Sequence, residues 1–130
     1  MTLARDDWQP ADPFDLPEWL GDEALAWAAE HPLSSVHVVG TLTSATGRQL
    51  PLDLLCVDAA FPAPVVSERV RHDAHQAWHY DQVLLLARPG RTALGVPVAR
   101  VDADVSCDAL RRFAKAVGVR SDRVSVTLRL

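Results

Sequence analysis

The chain is short of the features that announce a function. It has two cysteines in 130 residues, Cys56 and Cys107. With no CxxC pair and no secretory context, they read as two reduced, buried thiols and not as a disulfide or a catalytic pair. No apolar run approaches the roughly 20 residues that a membrane span requires. The opening stretch, MTLARDDWQPADPFD, lacks the cationic flank and apolar centre of a signal peptide, so the expected location is the cytoplasm. Glycines occur in "VVGTLTSATG" and "RPGRTALG", but neither segment forms a phosphate-binding loop, because no GxxxxGK[ST] and no GxGxxG opens a helix. Ser34, Ser35, Ser44 and Ser67 lie in no nucleophile elbow. No low-complexity tract or linker divides the chain. These absences leave no catalytic constellation, and neither cofactor nor metal is expected.

What is present is an ordinary globular composition, 48% hydrophobic and 23% charged, at a length that suits one domain able to bury a core without staples. The net charge of −4 hides an uneven distribution. Residues 1–30 hold eight acids and one base, whereas Arg111 to Arg129 hold six bases and one acid, Asp122. The basic candidates are Arg111, Arg112, Lys115, Arg120 and Arg123. Such asymmetry suits either a nucleic-acid partner or an acidic head lying on a basic tail. With Phe113 as its one aromatic, the basic stretch offers no stacking platform for single strands, and nucleic acid is not the expected partner.

Residues 1–15 read as an acidic, Pro-containing arm outside the core, with Trp8 and Phe14 as its large apolar groups, and residues 16–130 as a single α+β domain. A first helix is expected from about Pro17 to Glu30, where Trp19, Leu20, Ala24, Trp27 and Ala28 recur at helical spacing. Two strands follow, "SVHVVGTLT" and "LPLDLLCVD", joined by the Gly-containing "SATGRQ". Pro51 argues for an edge or a bulge in the second of them. A second helix is expected over Pro64–Trp78, then strand, "PGR" turn and strand. A third helix should start at an N-cap Ser106 and stop at Gly118, before the alternating strand "DRVSVTLRL". A faint echo at an offset of about 43, "TGR" then "VDA" against "PGR" then "VDA", accompanies this order of elements. The order α-β-β-α-β-β-α-β with short hairpin loops predicts a two-layer domain, its mainly antiparallel sheet of about five strands covered by helices on one face.

The stretch "RHDAHQAWHY" gathers three of the five histidines. On a helix turning about 100° per residue, Val66, Val70, Ala74, Ala77 and Trp78 share one face, while Glu68, His72, His75 and His79 share the opposite one. The histidines therefore face solvent or a partner. His75 and His79 have the i, i+4 spacing of a two-imidazole metal site, but His72 and His79 stand roughly 10 Å apart, so one helix cannot bring all three to one ion. A third ligand would have to come from His31, His37, Glu68 or another subunit. Asp53 with Asp58, and Asp102 with Asp104, could form carboxylate pairs; acids at strand ends are more often caps and turn formers.

The function expected from these residues is a non-catalytic cytoplasmic binding or interaction module that self-associates or binds another protein. The acidic arm, anchored by Trp8 and Phe14, and an open edge on the last strand would supply the contact. Two alternatives stand beside it. One is a small enzyme or metal-binding protein centred on His72, His75, His79 and Glu68; the other is a nucleic-acid accessory protein using the basic C-terminal helix.

Overall fold

The computed structural model describes residues 8–32, 36–59 and 66–128. In chain order these form β1 (Gln9–Pro10), β2 (Leu25–Ala29), β3 (His37–Val38), β4 (Gly40–Ser44), β5 (Gln49–Cys56), α1 (Glu68–His79), β6 (Leu84–Arg88), β7 (Arg91–Val96), α2 (Ala103–Val117) and β8 (Val124–Thr127). The eight strands make one mixed sheet in the order β1-β6-β7-β5-β4-β2-β8, with β3 also pairing β5. The pairs β5–β7 and β2–β8 are parallel, and the others are antiparallel. The expected mainly antiparallel sheet of about five strands, in the order α-β-β-α-β-β-α-β, is therefore incorrect, and so is the placing of all helices on one face.

The error begins with the first helix. Pro17 introduces only a single 3-10 turn, Glu18–Gly21, and the chain then enters β2. In β2 the side chains of Leu25, Trp27 and Ala29 are buried while Ala26 and Ala28 are exposed, a period of two instead of 3.6. Alanine favours helix by only tenths of a kcal/mol per residue. Pairing with β4 on one side and β8 on the other outweighs that preference. The Trp27 indole crosses β4 on the core side and donates to the Leu52 carbonyl of β5 at 2.7 Å. Its ring occupies the space a Cβ at Gly40 would need, so only glycine fits there. The twice-repeated order of helix, strand and strand fails at the same place, because its first unit opens with β2 and its second with α1, while the echo of turn, strand and helix recurs as Gly47, β5, α1 and Gly90, β7, α2.

The two helices cover different parts of the sheet. α2 packs Ala109, Leu110, Phe113 and Ala114 on one face, against Trp27, Leu42, Leu52, Leu54, Leu94 and Val96. α1 packs Val70 and Ala74 on the other, against Leu55, Leu86 and Ala93. Trp8 joins this second cluster, so one of the two arm anchors expected to reach a neighbour is buried on its own sheet. Ser67 caps α1 through the Val70 N–H; the expected start at Pro64 lies outside the described residues. α2 is capped by Asp102, which accepts from the Val105 N–H, and not by Ser106, whose hydroxyl bonds back to the Asp102 carbonyl. It stops at Gly118, in the left-handed conformation. Pro51 lies inside the sheet, opposite Thr41 and one residue before pairing with β7 begins, so its missing N–H falls outside that parallel ladder. Cys56 is buried as expected, but Cys107 is exposed.

Candidate functional site at the seam and open face of the sheet

Because successive strand residues point to opposite faces and register partners share one, the α1 face can be followed strand by strand. Asp53 opposes Ala93, a member of the α1 cluster, and His37 opposes Leu55, another. Asp53, His37 and Arg91 therefore lie on that face. Asp53 is fully buried. Its carboxylate accepts Arg91 Nε at 2.9 Å and Nη2 at 2.6 Å, stands 2.7 Å from His37 Nε2, and accepts the Gly40 N–H at 3.3 Å. β3 and β4 keep one register along β5 but are interrupted at Val39–Gly40. The carboxylate sits beside this interruption and ties three strand segments together. Burial pushes the Asp53 carboxyl up, but the His37 and Arg91 bonds and the Gly40 N–H outweigh it and hold it below the ordinary range. Arg91 lies directly opposite Arg88. The repulsion this creates is relieved by dividing the two cations, Arg91 to Asp53 and Arg88 to the Trp8 ring, 4.4 Å from its centroid. Trp8 in turn meets the His37 ring edge-on.

Beyond this seam the same face continues over β4, β2 and β8 without a helix. Ala26, Ala28, Ser125 and Thr127 are exposed there, and Thr41 and Thr43 are half-buried. The described strand residues of this face are small and uncharged, and Glu30, Asp122 and Arg123 border them, the last two at a recess lined by Ala26, Thr43 and Ser125. β8 ends the strand order, so no described strand pairs its outer edge.

The helical wheel of α1 agrees with the structure: Val66, Val70 and Ala74 are buried, and Glu68, His72, His75 and His79 are exposed. The histidines do not converge. His75 Nε2 lies 3.0 Å from Asp58 Oδ1, which also accepts Arg71 Nε at 2.8 Å, while His79 packs edge-on against Tyr80. The Asp58 carboxyl is raised by burial but lowered further by the His75 and Arg71 bonds, for a net downward shift. Among the described residues no group of three or more His, Cys, Asp or Glu is placed to hold a metal ion.

The basic candidates are mostly engaged. Arg111 and Lys115 bond Asp81, and Arg111 also bonds Asp108. Arg112 is buried, stacked 3.7 Å from the centroid of the Trp78 ring, and donates to the carbonyls of Trp78 and Gln82. Arg120 pairs with Asp122, and Arg123 is exposed. Neither carboxylate pair forms: Asp53 and Asp58 each hold an arginine and a histidine, and Asp102 is a helix cap.

Sequence reasoning missed the seam, because it weighs Asp53 only as half of a carboxylate pair with Asp58 or as a cap or turn former. The run Leu54-Leu55-Cys56-Val57 carried the missing signal: four consecutive apolar residues mark a strand covered on both faces. No family model, no curated protein and no solved structure matches the chain.

Proposed function

We propose that this chain is a non-catalytic binding module that associates with a second copy of itself through the open face of β4, β2 and β8. The observation that carries the reading is a sheet half with one face packed on α2 and the other covered by no described element. A twofold contact sets each residue near its own copy, so a self-binding face cannot carry much charge of one sign. Among the described residues its strands present none there, and the bordering Glu30, Asp122 and Arg123 are of both signs. Sheets pack face to face at about 10 Å, and small side chains permit the approach. The outer edge of β8 offers a further row of backbone groups for pairing. A cytoplasmic location belongs to the same reading and is supported by the exposed thiol of Cys107, which a reducing compartment keeps unpaired.

The nucleic-acid alternative is weakened because Asp81, Asp108 and Asp122 neutralise most of the basic stretch. The enzyme alternative is weakened because His72, His75 and His79 share no cleft with one carboxylate. Sedimentation velocity tests the proposal. The full chain should be dimeric at micromolar concentration, and Ala28→Arg should make it monomeric with the circular dichroism spectrum of the parent, its melting temperature matching that of the parent diluted to monomer. A chain that is monomeric at high micromolar concentration, or a dimer indifferent to Ala28→Arg, refutes it.

A further inference from the structure

The most exposed large apolar side chain among the described residues is Phe14, at 95%. It stands on the 3-10 turn Pro13–Asp15, outside the strands of the open sheet face. The turn is firmly built. Asp12 Oδ1 accepts the Phe14 N–H, the Asp12 carbonyl accepts the Asp15 N–H, and the Pro13 carbonyl accepts the Leu16 N–H. Pro10, Pro13 and Pro17 restrict φ on either side. Just upstream, the Ala11 N–H bonds the Leu85 carbonyl and ties the segment to β6. The ring is thus presented in a set position, and a partner would not have to order the backbone beneath it.

Phe14 borders a recess lined by Leu16, Pro17, Leu20, Gly21, Ala116 and Val117. Asp12, Asp15, Glu18 and Asp22 stand exposed around this region, and none has a cationic partner within 4 Å among the described residues. Lys115, one residue from Ala116, turns its ammonium to Asp81 instead. The surface therefore combines an aromatic knob and an apolar groove with negative charge that no described residue pairs.

We infer that the Phe14 turn is a docking site for a positively charged polypeptide segment carrying one large apolar side chain. The apolar group would enter the groove against the Phe14 ring, and flanking Lys or Arg would meet Asp12, Asp15 and Glu18. The charge decides the occupant. A second copy on a twofold would set these carboxylates against themselves, and nucleic acid or an anionic membrane would be repelled. An interface of this form takes its affinity from the desolvated aromatic anchor and its orientation and on-rate from the charged rim.

The test uses a displayed library of random dodecapeptides, selected on the full chain and counter-selected on the Phe14→Ser chain. Peptides dependent on Phe14 should carry several Lys or Arg around one Leu, Phe or Trp. By fluorescence anisotropy, Phe14→Ser should weaken them by about tenfold or more, the scale of an anchor residue. The double variant Asp15→Asn/Glu18→Gln should weaken them at low salt and flatten their salt dependence. Phe14→Ser should melt with the parent, since its side chain is exposed, so a loss of binding is not a loss of fold. Selected peptides that are neutral or acidic, no Phe14-dependent peptides at all, or indifference to the double variant would overturn the inference. Loss of a dimer in Phe14→Ser would also overturn it, by making a second copy the occupant.

Discussion

One sheet is built here in two ways. Around β5, β7 and β6 it is covered on both faces, by α2 on one side and by α1 with Trp8 on the other. Around β4, β2 and β8 it is covered by α2, and no described helix or strand covers the opposite face. The side chains follow the cover. Leu54, Leu55, Cys56 and Val57 run apolar without alternation, whereas β2 alternates buried and exposed, and Val124 to Thr127 alternate half-buried and exposed. A doubly covered strand contributes apolar side chains to two cores; a singly covered one has a face left over for binding. Asp53 stands where the two constructions meet.

The comparison is broken most severely at that seam. Asp53→Ala should destabilise the chain by about 3–5 kcal/mol in urea unfolding, because it leaves Arg91 partly buried without its carboxylate. A cost below about 1 kcal/mol would mean that the ladders join the halves without the buried charge. Next in size is a contrast on a single face. Leu86→Ala, in the doubly covered half, should cost about 2–5 kcal/mol. Thr41→Ala, on the same face of the bare half, should stay within about 0.5 kcal/mol. Similar costs for the two would show that something covers the open face.

Acid should weaken the seam and the Asp58 pair. The folded-state pKa values of Asp53 and Asp58 lie below their unfolded values, so their stabilisation is complete above the ordinary carboxylate range near pH 4. It is lost as pH falls below that range through the lower folded values. Urea midpoints measured from pH 6 down to pH 2 should fall for the parent and fall less for Asp53→Asn. The smallest effects belong to the exposed face of α1, where His72→Ala, His75→Ala and His79→Ala should each change stability by no more than about 0.5 kcal/mol. The cysteines sharpen the contrast without altering it. Exposed Cys107 should react with a thiol reagent in the native chain, and Cys56, whose thiol burial pushes up to about 12, only after unfolding.

Much of this was legible in the residues because it depends on neighbours in the chain. Gly118 ends α2 because its φ is positive, the apolar face of α1 follows from spacing, and the β4–β5 and β6–β7 hairpins follow from turns containing Gly47 and Gly90. Ser67 caps its helix by a bond three residues away, an equally local feature, although the sequence reading starts that helix at Pro64. Each of these is decided by local backbone geometry and a few tenths to about 1 kcal/mol of propensity or capping.

What tertiary structure alone decided are the features that join distant residues. Residues 25–29 are equally fit for helix by composition, and they became a strand because β4 and β8 supplied ladders on both sides and Trp27 found the Leu52 carbonyl. β8 runs parallel to β2, a pairing that no local pattern encodes. Asp53 reads as one more polar residue in an alternating strand until Arg91, 38 positions away, and His37 close on it. The bare face exists because α1 reaches β5, β7 and β6 and goes no further, which is a matter of where a helix lands and not of which residues it contains. Period and caps act over one or two turns of chain, whereas strand order and the burial of a charge are set by packing among segments that the sequence holds far apart.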